Sequence, residues 1–163
     1  MLNLFEEFFG IVRSFEDHGI RYAVIGGFAM AFHDLLRATD DLDYLVLTDD
    51  IEKAIELVKE AGFRESGQPI YFQNSRMTLY RLVKFTQHEH ILVDLLTSIE
   101  QDHIDVISEA VTMDVGFGKI HVANKEAMIK LKQVRSSTID LYDIRRLRGE
   151  TDDESGTDSE EIK

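Results

Sequence analysis

Cysteine is absent from all 163 residues, which excludes a disulfide framework, a thiolate zinc site and a cysteine nucleophile, and fits a reducing cytoplasm. Proline occurs once, as Pro69, inside a stretch (63–75) also holding glycine, glutamine and asparagine, which reads as a loop or an irregular edge strand. No run of 18 apolar residues exists, and the opening MLNLFEEFFGIVRSFEDHG sets acidic residues into its apolar run. Neither a membrane span nor a signal peptide is expected, and the protein should be soluble. Basic residues are scarce, 18 Lys and Arg against 31 Asp and Glu, for a net charge of -13. The last fifteen residues carry seven carboxylates against Lys163, or -6, which leaves about -7 on the body. An acidic body repels a phosphate backbone, so extensive nucleic-acid binding is not expected. The segment GETDDESGTDSEEIK has one apolar residue and cannot offset its ordering entropy by burial, so 149–163 is expected to be a disordered acidic tail. Residues 1–148 then form a single domain with one core.

Apolar periodicity predicts a first helix capped by Asn3 with Glu6 three residues on, carrying Leu4, Phe8, Ile11 or Val12, and Phe15 on one face and stopping at Gly19. Phe5, Phe8, Phe9 and Phe15 exceed what one face needs; core packing is the preferred reading, a partner surface the other. A strand over Ile20–Ile25 is apolar on both faces from Tyr22, which suits a central position, and Phe28–Leu36 reads as a nearly all-apolar helix. Tyr44–Leu47 continues a second strand. Asp49 with Glu52 reads as a capping box for a helix burying Ile51, Ala54, Ile55 and Val58 and ending at Gly62. Met77–Phe85 and His90–Leu96 flank the polar Thr86-Gln87-His88-Glu89 as a hairpin, whose His88-Glu89-His90 reads as an exposed turn rather than a metal site. Ser98 with Gln101 reads as a second capping box, before a helix with Ile104, Ile107 and Val111. Val115–Val122 suggests a small strand pair or bulged strand. Asn124 caps a helix with Ala127, Leu131 and Val134 on a stripe, and Ser136-Ser137-Thr138 breaks into a last helix with Leu141, Ile144 and Leu147 inward. Arg145, Arg146 and Arg148 read as a solvated helix end beside the acidic tail.

The densest chemistry lies between Ala23 and Thr48. On a strand, residues two apart share a face, so Asp41 and Asp43 present their carboxylates side by side, a repulsion that a divalent cation would relieve. Carboxylate oxygens are hard ligands suited to Mg2+ or Mn2+. Asp94, embedded among Ile91, Leu92, Val93, Leu95 and Leu96, must face solvent at an edge or have a partner, and it is the natural third ligand. Gly26 and Gly27 stand where a strand turns into a helix, a place where glycine permits positive φ and lets a phosphate approach the backbone near a helix N-terminus.

Gly26-Gly27, then Asp41-Leu42-Asp43 after thirteen residues, with Arg37-Ala38-Thr39 just before it and Val93-Asp94-Leu95-Leu96 downstream, resembles the nucleotidyltransferase superfamily with the DNA polymerase beta-type palm. Within it, the pattern is similar to small prokaryotic nucleotidyltransferase-like proteins related to abortive-infection toxins. Ala29, His33, Arg37, Thr39, Asp41, Asp43, Lys132 and Asp140 fall at that group's motif places, from about Tyr22 to Leu147. The resemblance implies an α/β (α+β) nucleotidyltransferase fold: a central mixed β-sheet flanked by helices, with C-terminal helices. It implies transfer of NMP from an NTP to a hydroxyl on a protein, a small molecule or an RNA end, in the cytoplasm, within a toxin–antitoxin or phage-defence system. Asp41 and Asp43 would hold both Mg2+ (or Mn2+) ions, and Asp94 the catalytic one. The glycines, Arg37 and Lys132 would contact phosphate, while Thr39 shapes its loop. A toxin or antitoxin partner goes with the same resemblance, a homodimer with the phenylalanine-rich first helix, and the alternative is a catalytically silent nucleotide-binding or partner-binding module. Asp34 departs from the pattern, standing where the group often has glycine. His33 is read as a hydrogen-bonded brace, not a catalyst.

Overall fold

The side-chain oxygen of Asn3 accepts the Glu6 N–H at 3.1 Å and opens α1, Leu4–Asp17, as its cap, with Gly19 at φ +66 turning the chain out. The structure is a computed structural model that describes residues 1–35, 39–73, 75–135 and 138–149, with only the backbone described over 133–135 and 138–142. Two compact units are present, Met1–Asn124 and Lys125–Lys163.

In the first unit the chain runs α1, β1 (Tyr22–Ile25), α2 (Gly26–Phe32), β2 (Asp41–Val46), a 3-10 turn (Thr48–Asp50), α3 (Ile51–Glu60), β3 (Arg64–Glu65), β4 (Ile70–Phe72), β5 (Met77–Phe85), β6 (His90–Ser98), α4 (Gln101–Ser108), β7 (Val111–Asp114) and β8 (Lys119–Val122). The strands form one mixed sheet in the order β3-β5-β6-β2-β1-β8-β7, with β4 also paired to β5. β2 runs antiparallel to β1 and parallel to β6, and β1 runs parallel to β8. The expected hairpin forms, with Phe85 opposite His90, and the stretch 63–75, read as a loop or an irregular edge strand, contains the short strands β3 and β4, each paired to β5.

One face of the sheet carries the core. Phe8 stacks on Phe28 at 4.5 Å and on Tyr44 at 5.9 Å, and Phe15 meets Tyr44 at 5.4 Å and Tyr22 at 5.5 Å. Phe8, Phe15, Tyr22 and Tyr44 are all fully buried. Burying each such side chain contributes about 1.5–3 kcal/mol, and well-placed ring pairs add about 0.5–1.5 kcal/mol. Lys84 closes the rim of this layer, its Nζ donating to Glu7 Oε1 at 2.7 Å and to the Ala61 carbonyl at 2.8 Å. Phe5 stays largely exposed, so the phenylalanines divide between core and surface.

Local expectations changed where a side chain found a better partner. α2 begins at the glycines rather than at Phe28 and ends at Phe32, because Asp34 takes φ +62 and turns the chain. No capping box forms at Asp49 and Glu52: Asp50 is the cap residue, and its carboxylate instead accepts the backbone N–H and Nε–H of Arg21, each at 2.9 Å. Likewise Ser98 does not cap α4; its hydroxyl oxygen accepts the Glu100 N–H at 3.1 Å. Only Val106 of α4 is buried, and Val111 belongs to β7, not to that helix.

The second unit holds α5 (Lys125–Arg135) and α6 (Thr138–Leu147), with Ala127, Met128, Ile144 and Leu147 buried. No helix among the described residues is long and apolar enough to cross a membrane.

Candidate active site

Strand pairing builds the site. Asp43 of β2 is opposite Ile25 of β1 on one side and opposite Asp94 of β6 on the other, and Asp94 is opposite Arg81 of β5. Paired residues share a face, so Asp43, Asp94 and Arg81 form a row across three strands, with Asp41 two residues along on that face. Tyr44 and Leu42 alternate onto the opposite, helix-covered face, so one strand supplies both the core and the carboxylates.

Asp94 resolves the choice between an edge position and a partner. It lies on a central strand, and Arg81 chelates it, Nε–H donating to Oδ1 at 2.8 Å and an Nη2 hydrogen to Oδ2 at 2.9 Å. Such a fork-on-carboxylate pair is a strong, directional form of ion pair. The Asp94 side chain is 9 % exposed and that of Arg81 39 %. Arg81 was not singled out from the sequence. Burial, followed by the charge of Asp94, pushes the Asp41 carboxyl above its ordinary range, and the charge of Arg81 opposes this. Arg81 itself is held more firmly cationic, chiefly by its hydrogen bonds to Asp94 and then by the charges of Asp94, Asp41 and Asp43.

A carboxyl whose folded-state pKa is raised stabilises the fold below its unfolded pKa and loses that contribution as pH rises through the folded value. Ionised Asp41 therefore works against stability at neutral pH. Asp41→Asn is expected to melt higher than the wild type at pH 7, with the gain vanishing toward about pH 3. Thermal melts across that interval check it; a gain independent of pH would count against this electrostatic account.

The glycines are set by neighbouring side chains. Gly26 has φ +71, and a Cβ on it would lie 2.2 Å from Asp43 Oδ2; a Cβ on Gly27 would lie 2.5 Å from the Thr39 Cβ. The turn thus passes so close to Asp43 and Thr39 that no side chain fits. Thr39 Oγ1 accepts the Asp41 N–H at 3.2 Å and donates to the Asp41 carbonyl at 3.4 Å, the loop-shaping bond expected of it. His33 Nε2–H donates to the Ala123 carbonyl at 2.7 Å, tying the end of α2 to the end of β8. Asp34, exposed at φ +62, adopts the left-handed backbone that the glycine of the motif would favour.

Arg37 lies outside the described residues. Lys132, in the second unit, donates from Nζ to Asp143 Oδ2 at 2.8 Å, both residues being buried; the side chain of Asp140 is not among those described. Among the described residues, no three His, Asp or Glu side chains are grouped closely enough to hold a metal ion as they stand. The donor set nevertheless suits a hard divalent cation, since Asp41, Asp43 and Asp94 share a face and the charge of Asp94 already burdens Asp41.

No family model matches the sequence, and no curated protein matches it. Solved structures do match. The lincosamide antibiotic adenylyltransferase LnuA, lincomycin-bound, has a TM-score of 0.61 at 18% identity, over 90% of this chain and 97% of that one. ANT(2'')-Ia in complex with adenylyl-2''-tobramycin has 0.56 at 14%, over 86% and 85%. A putative nucleotidyltransferase from Thermotoga maritima has 0.57 at 11%, over 85% and 88%. A central mixed sheet with helical cover, aligned to these structures over most of its length, gives this chain the nucleotidyltransferase fold.

Proposed function

We propose that this protein is a metal-dependent nucleotidyltransferase that moves NMP from an NTP to a hydroxyl acceptor, breaking the α–β phosphoanhydride bond and releasing pyrophosphate. The observation that carries the reading is the row of Asp43 and Asp94 with Asp41 on the same face, bordered by a Gly-Gly turn packed onto Asp43. Asp41 and Asp43 would hold Mg2+ or Mn2+, with Asp94 as further ligand and as the carboxylate that takes up the proton of the acceptor hydroxyl. When bound, the metal supplies neutralisation of triphosphate charge and polarises the reacting oxygens. Gly26 and Gly27, with the first N–H groups of α2, are assigned to the β and γ phosphates. Arg37 and Lys132 are assigned to phosphate by resemblance alone.

Among acceptors, a small molecule is favoured. The structural neighbours include an antibiotic adenylyltransferase with lincomycin bound and a protein in complex with an adenylylated tobramycin, and a body of this acidity suits a neutral or cationic acceptor better than RNA. A toxin–antitoxin or phage-defence partner belongs to the proposal through the family resemblance, a cytoplasmic setting through the lack of cysteine, and a homodimer through the phenylalanine-rich first helix. A silent binding module is the second reading, favoured by the occupation of Asp94 by Arg81.

The experiment is incubation of the protein and a cell lysate with each α-labelled NTP. Label is expected on an acceptor in a reaction that Asp43→Asn abolishes. Label on nothing with any of the four nucleotides would favour the silent module.

A further inference from the structure

Arg81 lies at the end of the carboxylate row away from the glycine turn. β1 and its turn flank β2 on one side, and β5 with Arg81 flanks β6 on the other. Its guanidinium is directed to Asp94, the carboxylate of the three that is buried on a central strand, and both Asp94 oxygens are engaged. Its charge also acts on Asp41 and Asp43. Among the described residues, Arg81 offsets one of the three negative charges on this face, and a divalent cation reaching Asp94 competes with a bidentate arginine for its oxygens.

We propose that Arg81 is a positioning residue that acts as the built-in counter-ion of the site, occupying Asp94 in the resting protein so that divalent metal binds weakly until a nucleoside triphosphate arrives. This rests on the reading of Asp41, Asp43 and Asp94 as the metal-holding face. The triphosphate contributes further oxygen ligands to the metal, and their added binding free energy makes displacement of Arg81 favourable. Metal and nucleotide thereby become positively coupled. The partial exposure of Arg81 leaves the guanidinium able to move into solvent when Asp94 is taken. A purely structural tie between β5 and β6 would affect melting but would not hold metal affinity down.

The test is Mn2+ binding to the full chain, followed by electron paramagnetic resonance of free Mn2+, without nucleotide and with the α,β-methylene analogues of ATP, GTP, CTP and UTP in turn. Arg81→Gln is expected to bind Mn2+ alone about tenfold more tightly than the wild type, as removal of a neighbouring unit charge allows. The nucleotide should then strengthen Mn2+ binding less in the variant than in the wild type. A gain in affinity is not the signature of a damaged fold. Should Arg81→Gln fail to fold, Arg81→Lys keeps the charge but loses the fork, and is expected to bind Mn2+ alone about threefold more tightly than the wild type. If the wild type binds Mn2+ with an analogue but the folded variant holds Mn2+ alone no more tightly than the wild type, Arg81 is only a structural tie and the proposal is overturned while the site reading stands. If neither protein binds Mn2+ under any condition, the site reading fails and takes the proposal with it.

Discussion

Asp43→Asn is expected to lower nucleotidyl transfer by about a thousandfold. The substitution keeps the shape of the side chain and removes one negative charge from the end of the row, where Asp43 is paired with Asp94 and packed against the glycine turn. Losing a ligand that brings metal to the reacting phosphate removes about 4 kcal/mol of transition-state stabilisation, which is three decades in rate. Rates of label transfer for the variant and the wild type, at matched nucleotide, measure it directly. The fold should survive, because the amide relieves repulsion on a crowded carboxylate face. A loss smaller than tenfold would remove Asp43 from the catalytic set.

Gly26→Ala carries the second large effect, and it reaches the same carboxylate from the other side. The left-handed backbone at φ +71 alone disfavours alanine, by about 1–2 kcal/mol. The added methyl would also lie 2.2 Å from Asp43 Oδ2, so either the turn or the carboxylate must move. Both a lower melting temperature and a loss of metal-dependent nucleotide binding are therefore expected, in one variant that touches no charge. Gly27→Ala meets Thr39 instead, whose hydroxyl holds the Asp41 backbone, so its effect reaches the site through Asp41 rather than through Asp43. Equal melting and equal nucleotide affinity for Gly26→Ala and wild type would show that the turn does not position Asp43.

Much of this arrangement is legible in the residues. Period-two alternation in Asp41-Leu42-Asp43-Tyr44 places the carboxylates opposite the core, and Asn3 announces its helix by its position before Leu4. Arg81 was legible too, by counting. Once Thr86–Glu89 is taken as the hairpin turn, Phe85 faces His90, and four further steps bring Arg81 opposite Asp94. The partner that a buried central-strand carboxylate requires was therefore available from the register. Other features depend on contacts distant in sequence. Asp50 turns to Arg21 rather than to its own helix, and Lys132 takes Asp143 on the next helix. The closeness of Gly26 to Asp43 is a tertiary fact, since a Gly-Gly pair reads equally well as an ordinary turn until the strand pairing is known. The acceptor is the least legible part, because its recognition follows no periodicity and no short motif.

The central claim is that Asp41 and Asp43 hold a metal that brings a nucleoside triphosphate to the face shared with Asp94. Isothermal titration calorimetry of ATP, GTP, CTP and UTP, with Mg2+ and with chelator, tests it most directly, using the Asp41→Ala/Asp43→Ala double variant as control. The account predicts binding of at least one triphosphate that requires Mg2+ and disappears in the double variant. Binding that persists without metal or in the double variant, or no binding of any of the four, would contradict it.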